Sequence, residues 1–245
     1  MNLRQIRLGL AAVLMIVAVL ATCLAADVRS EIRAATKGFK DITVKARIVK
    51  ADQKALAKIS DDLARSYEAK TTVVKYKAPD KMTVDGKLGM VALRVVQNGY
   101  KKSYWVPSLG IRKTEDCRND PHKLQNDLDV GLVTDELWND YIVQEVLIEK
   151  TQAGSAYRIT FVRPGSTRRN ACWVEPKTCK LLKIERYTSE GGLSARFIYS
   201  KHKDYGAIWV PGQLDVYNGD GKLAGITEYM DVKVNSGIAD SVFKI

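Results

Sequence analysis

The sequence is poor in the residues that build metal centres and disulfide frameworks. Its 245 residues include two histidines, His122 and His202, and four cysteines, at positions 23, 117, 172 and 179. Two histidines cannot form a histidine-rich metal centre, and no two cysteines have CxxC spacing. The zinc-ribbon and thioredoxin-like classes are therefore excluded, and we expect neither a metal nor a cofactor.

The short motifs of common enzymes are also missing. The sequence contains no Gly-x-Ser-x-Gly elbow, no His-Glu-x-x-His, no phosphate-cradling glycine loop and no dinucleotide fingerprint. The triplets at 202–204 (HKD) and 115–117 (EDC) carry catalytic residue types, but neither has a visible third partner, so both are better explained as solvated turns. The carboxylates of Asp127 and Asp129 are explained by capping of a predicted helix. We therefore predict no catalytic residues and no enzyme, with a hydrolase as a minor alternative.

Long runs of basic residues are absent, although Lys and Arg outnumber Asp and Glu by 39 to 28 and the net charge is +11. The excess charge is spread along the chain. Such a distribution favours loose attraction to anionic surfaces, such as lipid headgroups, over a nucleic-acid groove. We expect no nucleic-acid partner.

The N-terminus has the pattern of a signal peptide. Arg4 and Arg7 precede an apolar run over residues 8–24, and small residues follow where a signal peptidase cuts. We predict a signal peptide over residues 1–25, with cleavage after Ala25 or Ala26 and export of the remainder. Because 17 apolar residues can just span a bilayer, an uncleaved membrane anchor is the first alternative.

Lipidation is a second alternative. Residues 20–23 (LATC) resemble a bacterial lipobox, in which the cysteine is acylated, although Thr22 is unusual directly before it. Acylation of Cys23 would anchor the chain to a bacterial membrane.

The remaining cysteines leave the disulfide pattern open. Without Cys23 the count is odd, so at least one thiol stays unpaired even in an oxidising compartment. A bridge between Cys172 and Cys179 would be strained across the predicted hairpin, whereas Cys117 could pair with either. Three buried free thiols are an equally weighted alternative.

Hydrophobic periodicity predicts a mostly β protein. A helix begins at Asp27 and ends at Gly38, and helical spacing returns over 52–63. Between 111 and 140 the strand pattern is interrupted by helical segments over 123–128 and 134–138. Alternating patterns predict strands at 42–48, 66–77, 81–85, 91–97, 100–106, 141–149, 155–163, 169–175, 180–188, 193–202, 207–217 and 222–234. These elements indicate a curved antiparallel meander of about 11–12 strands with an N-terminal helix and a helical lid.

This pattern favours a cavity. A large antiparallel sheet curls, and its apolar side must be covered. A helix of about twelve residues is only about 18 Å long, so two short helical covers leave part of a broad concave face exposed as an apolar trough. A closed or sandwiched sheet that buries itself is the alternative.

Four motifs, in this order, carry a resemblance to a known family. They are residues 76–82 (YKAPDKM), 96–107 (VQNGYKKSYWVP), 173–178 (WVEPKT) and 237–243 (GIADSVF). Together with the order of elements they make the chain resemble the bacterial outer-membrane lipoprotein-sorting proteins, the LolA- and LolB-like superfamily. The likeness covers most of the chain after the signal peptide.

The resemblance implies an unclosed β-barrel, formed by one domain over residues 26–245. Its apolar concave face, lidded by helices, would hold the acyl chains of a lipoprotein or related lipid in transit across the periplasm. An inner-membrane export complex or an outer-membrane acceptor would be the partner, and we expect a monomer. An envelope regulatory or partner-binding module that uses the same fold without lipid transport is the alternative.

The chain departs from the periplasmic carriers where they have Arg before the Pro of the first motif. Ala78 stands there, and Lys77, one residue earlier on an alternating strand, would point to the other face.

The predicted site is apolar throughout, since lipid burial needs no polar chemistry. The predicted cavity wall consists of Ile42, Val44, Ile48, Met82, Trp105, Ile159, Phe161, Ile184 and Phe197. The predicted lid consists of Leu132, Val133, Leu137 and Trp138, with Gly131 as a hinge or a helix stop. Ordinary core packing is the alternative role for each of them.

Overall fold

A computed structural model describes residues 24–151 and 154–245. In chain order the strands are β1 Asp41–Ala51, β2 Thr71–Lys77, β3 Lys81–Leu88, β4 Val91–Asn98, β5 Lys101–Val106, β6 Ile111–Asp116, β7 Ile142–Thr151, β8 Gly154–Val162, β9 Arg169–Val174, β10 Leu181–Tyr187, β11 Leu193–Ser200, β12 Lys203–Asp204, β13 Trp209–Val210, β14 Gln213–Asn218 and β15 Leu223–Val234. The helices are α1 over residues 24–35, α2 Gln53–Ala57, α3 Asp61–Ser66 and α4 Leu137–Asp140. Three 3₁₀ turns discussed below are Pro121–Lys123, Asp127–Val130 and Asp240–Phe243.

Thirteen of the strands form one antiparallel sheet that is not closed into a barrel. Its order is β6-β5-β4-β3-β2-β1-β15-β14-β11-β10-β9-β8-β7, so β1 and β15 join two meanders and β6 and β7 are the edges. This confirms the predicted unclosed meander. The prediction missed β6, and it merged β13 and β14 into one strand although β13 pairs with β12 in a separate small ladder.

The alternation of side chains decides which face of the sheet is covered. In β8, Ile159 and Phe161 are buried on the concave face, whereas Arg158 points to the convex face. Neighbouring strands keep this register, because Ile159 pairs with Cys172 of β9, which pairs with Ile184 of β10. The strand period of two therefore produces a continuous apolar concave surface.

Helix α1 covers one half of this concave surface. Val28 and Ile32 are almost fully buried against it, and Gly38 ends the following turn with φ of +91°. Asp27 lies inside α1, so its prediction as the helix cap is wrong. The apolar residues recur at helical spacing on one stripe, which is why α1 packs on the sheet.

The single helix predicted over 52–63 is two helices. Asp52 Oδ1 accepts a hydrogen bond from Ala55 N at 3.0 Å and caps α2, and Ser60 Oγ accepts one from Leu63 N at 3.1 Å and caps α3. A second capping residue within the pattern starts a new helix, because its side chain competes with the backbone for the amide groups.

The C-terminal segment covers part of the convex face. Ile238 and Phe243 are buried against Val96 of β4. Lys77 Nζ donates to Ile238 O at 3.0 Å and lies 2.9 Å from Asp240 Oδ1. The expectation that Lys77 points away from the concave face is therefore confirmed.

The three cysteines in the described part of the chain are free and buried. Burial raises the pKa of each thiol, most strongly where Cys172 lies in the main core. No helix within residues 24–151 and 154–245 has both the length and the apolar character needed to cross a bilayer.

Candidate functional site

A segment without regular helix crosses the concave face and forms its lid. We call residues 121–131 the strap. It contains the 3₁₀ turns Pro121–Lys123 and Asp127–Val130, so the helix predicted over 123–128 is wrong. Proline and the capping side chains of this stretch favour tight turns over a continuous helix.

Side chains of the N-terminal meander hold one edge of the strap. Gln97 Nε2 donates to Gln125 O at 2.8 Å, and its Oε1 accepts from Gln125 N at 2.8 Å. Lys102 Nζ donates to Lys123 O at 2.6 Å, and burial lowers the pKa of this ammonium group. These bonds satisfy backbone groups that have no strand or helix partner.

Arg163, directly after β8, holds the opposite edge. Its guanidinium donates to Leu124 O at 3.0 Å, to the Tyr141 hydroxyl at 3.1 Å and to Pro121 O. Because a guanidinium presents several donors in a fixed plane, one side chain fastens two strap carbonyls.

Asp127 fixes the centre of the strap from within. Its fully buried carboxylate accepts hydrogen bonds from Leu128 N at 3.0 Å, Thr134 N at 2.9 Å and Thr134 Oγ1 at 2.7 Å. Burial is the largest influence on this group and raises the pKa of the Asp127 carboxyl to about 7. The strap is thus closed by a group that titrates near neutral pH.

Beneath the strap lies a cavity of about 300 Å³, which we call the inner cavity. Helix α3 and the residue after it, Tyr67, form its other cover. The cavity is lined by Val44, Ala46, Ile48, Leu63, Ser66, Tyr67, Thr72, Val74, Met82, Val84, Gln125, Leu128, Asp129, Val130, Arg186, Phe197, Tyr199, Leu214, Thr227 and Tyr229. The predicted wall residues Val44, Ile48, Met82 and Phe197 thus lie together at one cavity.

The polar groups of the inner cavity are mostly neutral. Burial raises the pKa of Tyr67, Tyr199 and Tyr229 above the ordinary tyrosine value, and Thr227 Oγ1 donates to the Tyr67 hydroxyl at 3.1 Å. The charged lining residues are Asp129 and Arg186. The lining therefore suits an apolar ligand more than an ionic one.

A second cavity, of about 360 Å³, lies beside the first, and we call it the outer cavity. The predicted wall residues Phe161 and Ile184 line it. Both cavities are lined by Gln125, Leu128, Asp129 and Arg186. Arg186 Nη2 lies 4.0 Å from Asp129 Oδ1, so this pair stands where the cavities meet.

Three of the predicted wall residues line neither cavity. Ile42 packs in a filled cluster with Val130 and Leu132, and Ile159 is fully buried in the main core. Trp105 lies on the convex face and is 41% exposed, because β5 places it opposite Arg94 of β4. The prediction that Trp105 belongs to the cavity wall is therefore corrected. The sequence alone does not show the register of β5, which decides the face on which Trp105 lies.

The residues predicted as the lid belong to the core. Leu132, Val133 and Leu137 are at most 1% exposed, and Trp138 packs partly buried beneath the Arg29 guanidinium. The residues of the lid that face the inner cavity come earlier in the chain and are Gln125, Leu128, Asp129 and Val130. The sequence signal that could have found them is Pro121 followed by the polar stretch at 125–127, which marks a turn-rich strap.

Gly131 ends the strap in a left-handed conformation, with φ of +78°. A Cβ atom at this position would lie 2.8 Å from Pro211 Cγ and 2.9 Å from Tyr199 Cε1. Glycine is required both by the dihedral angle and by this close approach.

The predicted acylation site and the two triplets with catalytic residue types remain to be located in the structure. Cys23 lies outside the described residues, whereas Leu24 and Ala25 belong to α1 and pack against the core. His202 Nε2 contacts Leu181 O at 2.8 Å, and Asp116 binds Arg118. Within residues 24–151 and 154–245, no three His, Cys, Asp or Glu side chains are arranged to hold a metal ion.

Solved structures with the same arrangement identify the class of fold. An outer membrane lipoprotein-sorting protein domain from Vibrio parahaemolyticus is 15% identical, with a TM-score of 0.64 over 89% of this chain and 95% of that one. A LolA superfamily protein from Nitrosomonas europaea is 14% identical, with a TM-score of 0.58 over 90% and 97%. A DUF1329 family protein from Desulfovibrio piger is 11% identical, with a TM-score of 0.52 over 86% and 92%.

No protein-family model and no curated protein sequence matches the chain. The structural likeness therefore stands alone, and it defines a LolA-like fold.

Proposed function

We propose that this protein is an exported, non-enzymatic carrier or acceptor that holds acyl chains of lipoproteins or other lipids in the inner cavity. The observation that carries the proposal is the cavity of about 300 Å³ between the sheet and the strap, with its largely apolar lining. Its volume lies at the lower end of the range of about 300–1,000 Å³ for small-molecule sites. The fold shared with the sorting-protein domain from Vibrio parahaemolyticus supports the same conclusion.

The energy of such binding comes from burial. Each methylene removed from water contributes about 0.8 kcal/mol, so ten methylenes contribute about 8 kcal/mol before ordering costs. Reversible binding of one chain therefore needs no catalytic group and no charge inside the cavity.

Longer chains need both cavities. Arg186 and the strap residues Gln125, Leu128 and Asp129 line both cavities and stand between them. The strap is held by hydrogen bonds to side chains rather than by a regular helix. Breaking a few of these bonds would join the cavities, and this gives the strap the role of the lid in loading and release.

The test is a pair of substitutions at neighbouring positions of β2. Val74→Phe fills the inner cavity, whereas Val73→Phe places the same ring on the convex face, because Val73 lines a shallow groove there. We expect Val74→Phe to reduce uptake of a fluorescent fatty acid at least tenfold and Val73→Phe to leave it within twofold. Equal uptake by both variants, with matched melting temperatures, would refute binding in this cavity.

Mass spectrometry of the protein purified from its native envelope tests the cargo. We expect a co-purifying acylated species that is lost in the Val74→Phe variant. The expected donor or recipient is an inner-membrane export complex or an outer-membrane acceptor.

We also propose the domain organisation and the location. Residues 1–25 are the signal peptide, residues 26–245 form the lipid-binding domain, and the protein resides in the periplasm. Intact-mass measurement of the mature protein distinguishes cleavage after Ala25 or Ala26 from acylation at Cys23, which would anchor the chain to a membrane.

One observation favours the alternative of an envelope regulatory or partner-binding module. The half of the concave face under α1 is filled, with Leu137, Ile159 and Val174 fully buried. A module that only binds partners would tolerate a ligand-free interior. Absence of any acyl ligand in both experiments would favour that function.

A further inference from the structure

The outer cavity differs from the inner one in the charge of its rim. Four cationic side chains line it, Lys123, Arg163, Arg168 and Arg186, against the single carboxylate of Asp129. A cavity lined by one sign of charge attracts ligands of the opposite sign, and low-dielectric walls strengthen the attraction.

Two of the four cations are already engaged. Lys123 Nζ lies 3.0 Å from Asp120 Oδ2 and 3.3 Å from Glu115 Oε2, and Arg163 holds the strap carbonyls. Because Lys123 and Arg163 already have partners within the protein, we do not assign them to ligand binding.

Arg168 and Arg186 are available. Within the part of the chain that the structure describes, Arg168 forms no ion pair within 4.0 Å, although the exposed Glu190 carboxylate is near enough to interact with its charge, and Arg186 lies 4.0 Å from Asp129. The Arg186 guanidinium lies 4.7 Å from the centre of the Phe197 ring, and 49% of its side chain is exposed. It is thus positioned by an aromatic face and still open to the cavity.

The sheet places these two arginines as neighbours. Arg186 pairs in register with Asn170 near the start of β9, and Arg168 lies two residues before Asn170, just outside the strand. Diagonal positions on adjacent strands lie roughly 7–8 Å apart, within reach of long side chains, and both arginines line the outer cavity. One anionic group between two guanidinium groups is the arrangement that bidentate arginine recognition favours.

Asp129 does not neutralise this pair of arginines. Its Oδ2 accepts a hydrogen bond from Asn126 N at 3.0 Å within the strap, and its Oδ1 is at the outer limit of contact with Arg186. An anion that approaches Arg186 more closely would replace this weak contact without disrupting the turn.

The floor of the outer cavity is apolar. Leu128, Phe161 and Ile184 line it and are buried, and Leu128 also lines the inner cavity. The cationic rim of the outer cavity leads to its apolar floor, and the floor leads to the apolar inner cavity. This order matches an amphiphile, in which a charged headgroup is followed by a linkage and an apolar tail.

We propose that the outer cavity is a headgroup site that selects anionic amphiphiles, with a phosphate or carboxylate held by Arg168 and Arg186 and the acyl chain passing Leu128 into the inner cavity. The inference rests on the proposed carrier function and adds the charge of the ligand to it.

The test compares two soluble single-chain lipids of equal chain length by titration calorimetry. Lysophosphatidylglycerol carries an anionic phosphodiester headgroup, and a monoacylglycerol carries an uncharged headgroup without phosphate. We expect the unmodified protein to bind the anionic lipid roughly tenfold or more tightly, since charge-assisted hydrogen bonds of this kind are individually worth about a factor of ten or more. The preference should shrink as salt rises, because the rim is partly exposed.

The variant Arg168→Gln with Arg186→Gln should bind both lipids with equal affinity and leave binding of the uncharged lipid within twofold of the unmodified protein. The control, Arg112→Gln with Arg118→Gln, makes the same change in net charge at exposed positions away from both cavities and should keep the preference. If the double variant is unfolded by circular dichroism, the single substitution of the exposed Arg168 serves instead, and it should lose part of the preference.

Each contrary result has its own meaning. Equal binding of the two lipids to the unmodified protein, or a preference that persists in the Arg168/Arg186 variant, would overturn the headgroup site and leave the carrier function intact. Inorganic phosphate that binds as tightly as the anionic lipid would also overturn it, because the site would then be one for a free ion. Failure of both lipids to bind would refute the carrier function itself.

Discussion

The two halves of the concave face are built from the same sheet and end in opposite states. Under α1 the space is filled by buried side chains such as Leu137 and Val174, whereas under the strap a cavity of about 300 Å³ remains. Both halves have the same alternation of apolar residues. The cover makes the difference, because a twelve-residue helix presents a stripe of large side chains and the strap presents mainly backbone in tight turns.

The two covers also differ in where their backbone groups find hydrogen-bond partners. α1 satisfies its own backbone and needs few outside partners, apart from contacts such as Arg33 with Asp135. The strap instead takes its partners from Gln97, Lys102 and Arg163. A cover whose bonds are to side chains can open without unfolding a helix, which is what reversible loading requires.

The largest expected effect is on stability in the filled half. Leu137→Ala should lower the free energy of unfolding by about 2–5 kcal/mol, because a fully buried leucine leaves a new cavity. Leu214→Ala in the open half should cost less, at about 1–2 kcal/mol, since that side chain already borders empty space. Urea denaturation measures both. Equal losses would show that the two halves are packed alike.

The next effect concerns the buried carboxyl of the strap. The pKa of Asp127 is about 7 in the folded protein against 3.8 for an ordinary aspartate, so between these values the folded state binds more protons than the unfolded chain. The free energy of unfolding contributed by this group therefore falls as pH rises from about 4 to about 7 and is constant above that.

We expect Asp127→Asn to remove this dependence. The difference in unfolding free energy between the unmodified protein and the variant should change by up to about 2 kcal/mol between pH 5 and pH 7, in favour of the unmodified protein at the lower pH. Denaturation series at the two pH values provide the measurement. An unchanged difference would mean that the carboxyl titrates in its ordinary range and does not weaken the strap at neutral pH.

The smallest expected effect is a loss of stability at Gly131, the residue that ends the strap. Gly131 and Gly221 have nearly the same φ, +78° and +79°, but only Gly131 has neighbours within reach of a Cβ atom. Both Gly→Ala variants should be destabilised by the strained dihedral, and Gly131→Ala should lose about 1 kcal/mol more through contact with Pro211 and Tyr199. Matching melting curves would indicate that the strap end is free to move aside.

Much of the fold could be predicted because alternation is a local property. The alternation that includes Ile159 and Phe161 predicts a strand with one buried face, and both side chains are buried. The structure also confirms the unclosed sheet. The missed strand β6 is exposed over most of its length, so its side chains carry no alternating signal.

The candidate site was harder to predict because it depends on register and on the path of one irregular segment. Trp105 looked suitable for a wall, but its face is set by pairing with Arg94. Leu132, Val133 and Leu137 looked suitable for a lid, but the chain turns them into the core after Gly131. The contact of Arg186 with Asp129 joins positions 57 residues apart, beyond the reach of spacing rules.

In the proposed carrier, an acyl chain enters the open half of the concave face and not the filled half. Nuclear magnetic resonance of the methyl groups, with a fatty acid that carries a nitroxide near the end of its chain, tests this directly because broadening by the nitroxide falls steeply with distance. We predict stronger broadening of the Val74 and Leu214 methyl signals than of the Val133 and Leu137 signals. Sharp signals at Val74 and Leu214 in the presence of saturating fatty acid, or equal broadening at all four residues, would show that the chain does not enter the open half.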